Sequence, residues 1–155
     1  MILFIIAAAG VFSYMLSSLF ITQAIAEWIG TLDVNRWVLM LYVNIFLLVA
    51  GFFLPPVAVI LMAAPILMPI ILGAGFDPYW FAVVLTINME IGLISPPVGL
   101  NLYVINGIAP EIPLKTILTG SLPYVACMVI AIIILCLFPA IATWLPDVLM
   151  GQAVT

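Results

Sequence analysis

The chain has 155 residues, of which 68% are hydrophobic and 5% charged, with a formal net charge of −4. A soluble domain carries about 25% charged residues, so this composition and a mean hydropathy of +1.51 place the chain in a membrane. There is no histidine, only two cysteines and no basic patch, which excludes Cys/His metal chemistry and nucleic-acid binding. Long apolar runs, in place of short alternating ones, exclude a β-barrel and predict an all-α integral membrane protein.

Residues 1–30 read as one transmembrane helix, long enough for a hydrocarbon core of about 30 Å. The run begins already apolar, with no basic region before it, so it does not fit a signal peptide. The expectation is a fragment of a longer protein that starts within a span. Gly10, Ser13 and Ser17 form a small-residue face suited to close helix contact, with Ser13 or Ser17 facing substrate as the second reading. Trp28, Trp37, Trp80 and Trp144 fall near span ends and read as interfacial anchors.

Residues 37–73 do not read as one span. The first arm, Trp37–Ala50, is roughly 21 Å long, short of the core thickness. The breaker cluster Gly51-Phe-Phe-Leu-Pro-Pro56 follows, then a second arm, Val57–Leu72, which Pro65 and Pro69 should disturb. The spacing predicts a re-entrant hairpin with its tip at Gly51–Pro56. The alternative is a pair of full spans around a buried loop.

Residues 78–108 predict a broken transmembrane helix. Pro96 and Pro97 remove two backbone donors, and the residue before a proline is pushed out of the helical region. The first half-helix should end at Gly92–Ile94 with carbonyls unpaired, and Ser95 should cap a second half-helix that opens with proline. Beyond a loop, residues 114–120 read as an interfacial helix carrying Lys115, and residues 121–144 as a plain transmembrane helix. Cys127 and Cys136 lie in that helix and read as inert thiols. Arg36 and Lys115 place one positive charge on each side, which casts no vote on orientation.

Irregular backbone at membrane depth survives only where protein buries it or where it lines a wet cavity, so the break points to a transporter's ion and substrate site. Free carbonyls near Gly51 and Gly92 and the Ser95 hydroxyl are the candidate ligands there. Pro96, Pro97, Asn88 and Asn101 are candidate cavity lining, although both asparagines read first as helix–helix hydrogen-bonding groups. Glu90 is an intramembrane acid and so a candidate for coupling, weighed against simple pairing with a neighbouring segment. The absence of a nucleophile–base set argues against an enzyme. A passive pore subunit is the competing function, since broken helices also line selectivity filters.

One ordered set of residues narrows this. Gly51-Phe-Phe-Leu, Pro65-Ile-Leu-Met-Pro69, Gly75-Phe-Asp-Pro78, Asn88-Met-Glu-Ile-Gly92 and Ser95-Pro-Pro-Val-Gly-Leu-Asn-Leu-Tyr103 follow in turn, with Leu122-Pro123 and Trp144-Leu-Pro146 behind them. Together they resemble the C-terminal part of the large membrane subunit of tripartite ATP-independent periplasmic (TRAP) transporters. The resemblance implies an elevator-type secondary transporter of two inverted repeats, of which this chain would carry the later hairpin, broken helix and final span. It implies sodium-coupled uptake of an organic carboxylate, of C4-dicarboxylate or sialic-acid type, across the bacterial inner membrane. A periplasmic solute-binding protein and a small membrane subunit are the implied partners, with sodium as coupling ion and no other cofactor. The implied sodium ligands are Gly51, Gly92, Ser95 and Val98. The chain departs from the family pattern in having Pro55 where an acidic residue is frequent and Ser95 where threonine is common. A carboxylate symporter outside the tripartite family is the remaining alternative.

Overall fold

The computed structural model describes residues 2–31, 35–96 and 99–150. Among these residues there are eight α-helices and no strand. In chain order they are α1 (Ile2–Ser18), α2 (Ile21–Thr31), α3 (Arg36–Phe53), α4 (Pro56–Gly73), α5 (Pro78–Ile94), α6 (Leu100–Ile108), α7 (Leu114–Leu137) and α8 (Ala140–Met150). Three of them, α3, α4 and α7, are long and apolar enough to cross a membrane.

The first segment is two helices where one was expected. Ser18 Oγ donates to the Met15 carbonyl at 3.0 Å, a local bond that competes with the helical ladder. Two residues later Phe20 takes a left-handed backbone with φ of 56°, and α2 leaves in a new direction. The small-residue face is only partly used: Ala9 is buried and Ser13 reaches α4, whereas a Cβ on Gly10 would meet nothing within 4 Å.

The arms of the second segment are equal at 18 residues each, so α3 is longer than spacing suggested and reaches spanning length. Gly51 stays helical; the break falls at Leu54 and Pro55, because a proline disfavours helical backbone in the residue before it, not four residues back. Asn35 opens α3 by accepting from Trp37 N at 2.9 Å. The far end of α4 returns to this opening, where the Trp37 ring meets Phe76 edge-on at 5.5 Å and Arg36 lies over both rings. Pro65 and Pro69 lie inside α4 without interrupting it.

α5 starts at Pro78, with Asp77 as N-cap accepting from Trp80 N at 3.0 Å. The core lies along its inner face. Trp80, Phe81, Val84 and Met89 of α5 are almost fully buried against Met40 and Leu47 of α3 and Ile71 of α4. Trp80 is therefore a core residue, not an interfacial anchor. Trp28 and Trp144 are exposed by contrast.

The fourth segment divides differently from expectation. α7 runs unbroken from Leu114 to Leu137, since Gly120 costs only about 1 kcal/mol of helix propensity and does not force a break. The break comes at Phe138–Pro139, and Trp144 belongs to α8. Proline 139 cannot supply the N–H that would pair with the Leu135 carbonyl. The Trp80 indole supplies it, donating Nε1–H to that carbonyl at 2.7 Å in a buried position. The end of α7 is thereby closed by the first turn of α5.

Candidate functional site

The candidate site forms where the ends of α3 and α5 meet. An α-helical carbonyl pairs with the N–H four residues on. For Gly51 that residue is Pro55, and for Gly92 it is Pro96. Both carbonyls therefore lose their helical donor through covalent structure alone. Phe52 and Leu93 lose theirs in the same way, to Pro56 and Pro97.

The two glycines bring these ends into backbone contact. A Cβ on Gly92 would stand 2.7 Å from the Gly51 carbonyl carbon and oxygen and 2.9 Å from its Cα. No side chain can occupy that space, so glycine at 92 is what lets the helices approach. The relation is one-sided: a Cβ on Gly51 would meet Met89 Cε at 3.4 Å and Gly92 Cα at 3.6 Å, ordinary contacts.

Ser95 closes α5 with φ of −105° and ψ of 145°. That extended backbone is what a following proline demands. Ser95 is thus the C-cap of α5; the N-cap of the next half-helix is Gly99, with φ of 54°. Leu100, not a proline, opens that half-helix. Ser95 itself is buried, and its Oγ has no hydrogen-bond partner among the described residues. An unpaired buried hydroxyl costs about 1–3 kcal/mol and calls for an explanation. The Ser95 carbonyl lies against Gly99, 3.0 Å from where a Cβ would be. Gly51 thus touches Gly92, and Ser95, three residues further along the chain, lies against Gly99.

The other candidates separate. Pro97 and Val98 lie outside the described residues. Pro96 and Asn101 are exposed, and so is Glu90, which points away from the α3–α5 seam. Asn88 sits one turn before Gly92 and is fully buried. Its Nδ2 donates to Asn44 Oδ1 at 2.6 Å and to the Val84 carbonyl at 2.9 Å, while its Oδ1 is unpartnered. Asn44 in turn donates to the Met40 carbonyl at 2.7 Å. This amide pair fastens α5 to α3 just below the glycine contact and borders a cavity of about 400 Å³ walled mainly by apolar side chains of α3, α5 and α7. Sequence reasoning missed Asn44. The available signal was a lone amide in the otherwise apolar run Val38–Ala50.

Among the described residues no three of His, Cys, Asp or Glu gather in one place. What the break presents is carbonyl oxygen and one hydroxyl. Such a set suits a hard, weakly charged cation, which binds oxygen ligands. Softer metals take nitrogen or sulfur instead.

Residues 1–141 match the family model described as "Tripartite ATP-independent periplasmic transporter, DctM component". The C4-dicarboxylate TRAP transporter large permease protein DctM of Pseudomonas aeruginosa is 42% identical over 95% of this chain and 34% of its own length. The protein of the same name in Vibrio cholerae is 36% identical over 99% of the chain and 34% of its own length. The sialic acid TRAP transporter large permease protein SiaM of Vibrio cholerae is 32% identical over 91% and 33% respectively. The chain spans about a third of the length of these curated relatives. With its apolar helices and a match over nearly its whole length, the chain belongs to the DctM-component family of tripartite ATP-independent periplasmic transporters, as an all-α membrane protein of the large-permease type.

Proposed function

We propose that this chain forms the ion-coupling part of a permease that takes up an organic carboxylate with sodium. The observation that carries the reading is the α3–α5 junction. There the ends of α3 and α5 touch at Gly51 and Gly92, whose carbonyls proline leaves without a helical donor, and Ser95, three residues beyond Gly92, is buried with its hydroxyl unpartnered among the described residues. Sodium takes several oxygen ligands, and this junction offers them with no helical donor to displace. Val98 completes the proposed ligand set.

The substrate side follows from the same break. α6 begins at Leu100, so its first N–H groups and positive dipole end face back toward Ser95–Gly99. An incoming carboxylate is stabilised by that end. Sodium held on the opposite lip by α3 and α5 adds a second positive charge. Asn101 and Pro96, exposed on this lip, are proposed cavity lining, together with Pro97. C4-dicarboxylates and sialic acid, named for the relatives, both carry the required group.

α3 and α4 are read as a re-entrant hairpin. Its tip at Leu54–Pro55 is level with the α5–α6 break, since Gly51 touches Gly92. α7 runs back beside both α6 and α5 until Leu135 meets Trp80, so the α5–α6 unit continues past the tip. The hairpin would ride with α5 as one body in an elevator motion. The complete transporter is proposed to lie in the bacterial inner membrane with a small membrane subunit and a periplasmic solute-binding protein.

The test is sodium dependence of uptake by the intact permease. Ser95→Ala removes one ligand oxygen and leaves the break in place, whereas Ser95→Thr keeps the hydroxyl. Losing such a contact costs roughly 1.5–3 kcal/mol, about one to two decades in apparent sodium affinity. The alanine variant should need correspondingly more sodium for half-maximal uptake, with threonine close to the parent. Unchanged sodium dependence in Ser95→Ala would reduce Ser95 to a helix cap. Solute flux that follows its own gradient whether or not sodium is present would identify a passive pore.

A further inference from the structure

Pro65 lies inside α4 and cannot donate to the Leu61 carbonyl one turn back. That carbonyl is not left open. Ser13 of α1 donates its hydroxyl to it at 2.9 Å, in a partly buried position 48 residues away in sequence. Ser13 needs no such partner for its own sake, because a helical serine can turn its hydroxyl back to the carbonyl four residues earlier. Leu61 has no such substitute within its helix. The bond therefore matters more to α4 than to α1, and it crosses between them.

We propose that the Ser13 hydroxyl is a latch: it holds α4 on α1 by closing the carbonyl that Pro65 opens, and parting these helices requires that bond to break. Three further features fit a releasable contact. The Gly10 side of α1 makes no close approach, so small-residue packing beside the bond is limited to Ala9. Two apolar cavities of about 240 and 250 Å³ flank it, both bordered by Phe12 and Met62, so the α1–α4 seam is not closely filled. The chain also turns sharply just after α1, at Phe20 with φ of 56°, which lets α1 depart from the segment behind it. The site-bearing ends of α3 and α5 are joined instead by backbone contact and a buried amide pair. Only the use of the latch during uptake rests on the transport reading above; its dependence on Pro65 does not.

That dependence is the test. Spin labels at Val11 on α1 and Leu72 on α4, both on exposed faces, report the distance between the helices in the intact permease, with Cys127 and Cys136 replaced by alanine. The measurement is made without sodium or solute, so its outcome is independent of whether sodium drives uptake. Interhelical hydrogen bonds in membranes are modest, so Ser13→Ala should raise the parted population about threefold to tenfold. Pro65→Ala gives the Leu61 carbonyl a donor within its own helix, and on that background Ser13→Ala should change the distance distribution little. An equal shift on both backgrounds would make Ser13 a packing residue. No shift on either would mean that apolar contact alone holds the seam. Each of those two results overturns the proposal.

Discussion

The chain breaks its helices with proline at two places that end very differently. At the α7–α8 break, the carbonyl that Pro139 strands is closed by the Trp80 indole at 2.7 Å. At the α3–α5 junction, Pro55 and Pro96 strand the carbonyls of Gly51 and Gly92, and the nearby Ser95 hydroxyl is buried with no partner among the described residues. The covalent cause is the same, loss of one N–H per proline. At the first of them the fold supplies a replacement donor, the indole N–H. Buried polar groups are paired almost without exception, so the closed break is ordinary architecture. The open one is where we propose that a cation binds.

The strongest way to break this comparison is to separate the two helix ends. Gly92→Ala places a methyl 2.7 Å from the Gly51 carbonyl, and backbone cannot swing aside as a side chain can. We expect α3 and α5 to be forced apart at a cost of roughly 3 kcal/mol or more, with uptake lost and the melting temperature in detergent lowered. A folded, fully active alanine variant would show that the carbonyls need not converge.

Next in size is the closed break. Trp80→Phe keeps a ring to stack on Phe76, now 5.2 Å from the indole, but strands the Leu135 carbonyl in a buried place. A loss of about 1–3 kcal/mol in unfolding free energy is expected. Pro139→Ala should recover part of it by restoring a donor within α7. If the second change gives no recovery, the indole acts by filling space rather than by donating.

The smallest effect sharpens the asymmetry of the glycine pair. A Cβ on Gly51 meets only ordinary contacts, at 3.4 Å and beyond. Gly51→Ala should therefore change stability by less than about 1 kcal/mol, while leaving its carbonyl in place. Half-maximal sodium concentration should stay near that of the parent, in contrast to Ser95→Ala. A collapse of sodium affinity in Gly51→Ala would mean that the methyl, not the carbonyl, governs this end of α3.

Much of the open break was legible in the sequence because prolines act locally and predictably. The positions of Pro55 and Pro96 alone single out Gly51 and Gly92, and the extended backbone of Ser95 follows from the proline after it. The cap was misread there because Gly99 accepts a left-handed backbone that moves the restart to Leu100. The closed break was not legible. Nothing in the string of residues indicates that Trp80 and Leu135, 55 positions apart, will meet. A tryptophan near a span end suits the interface and the core equally well, and only tertiary packing decides between them. Asn44 was passed over for the same reason: its partner lies on another helix.

That amide pair has a consequence for how the protein is made. Asn44 lies midway along α3 and Asn88 two-thirds of the way along α5, each otherwise among apolar residues. In its own helix each amide can donate to a carbonyl one turn back, Met40 for Asn44 and Val84 for Asn88, but the Asn44 oxygen finds no donor there and lipid offers none. That oxygen gains its donor when Asn88 reaches Asn44. α3 is made before α5, so this bond can close only once the later helix has been made.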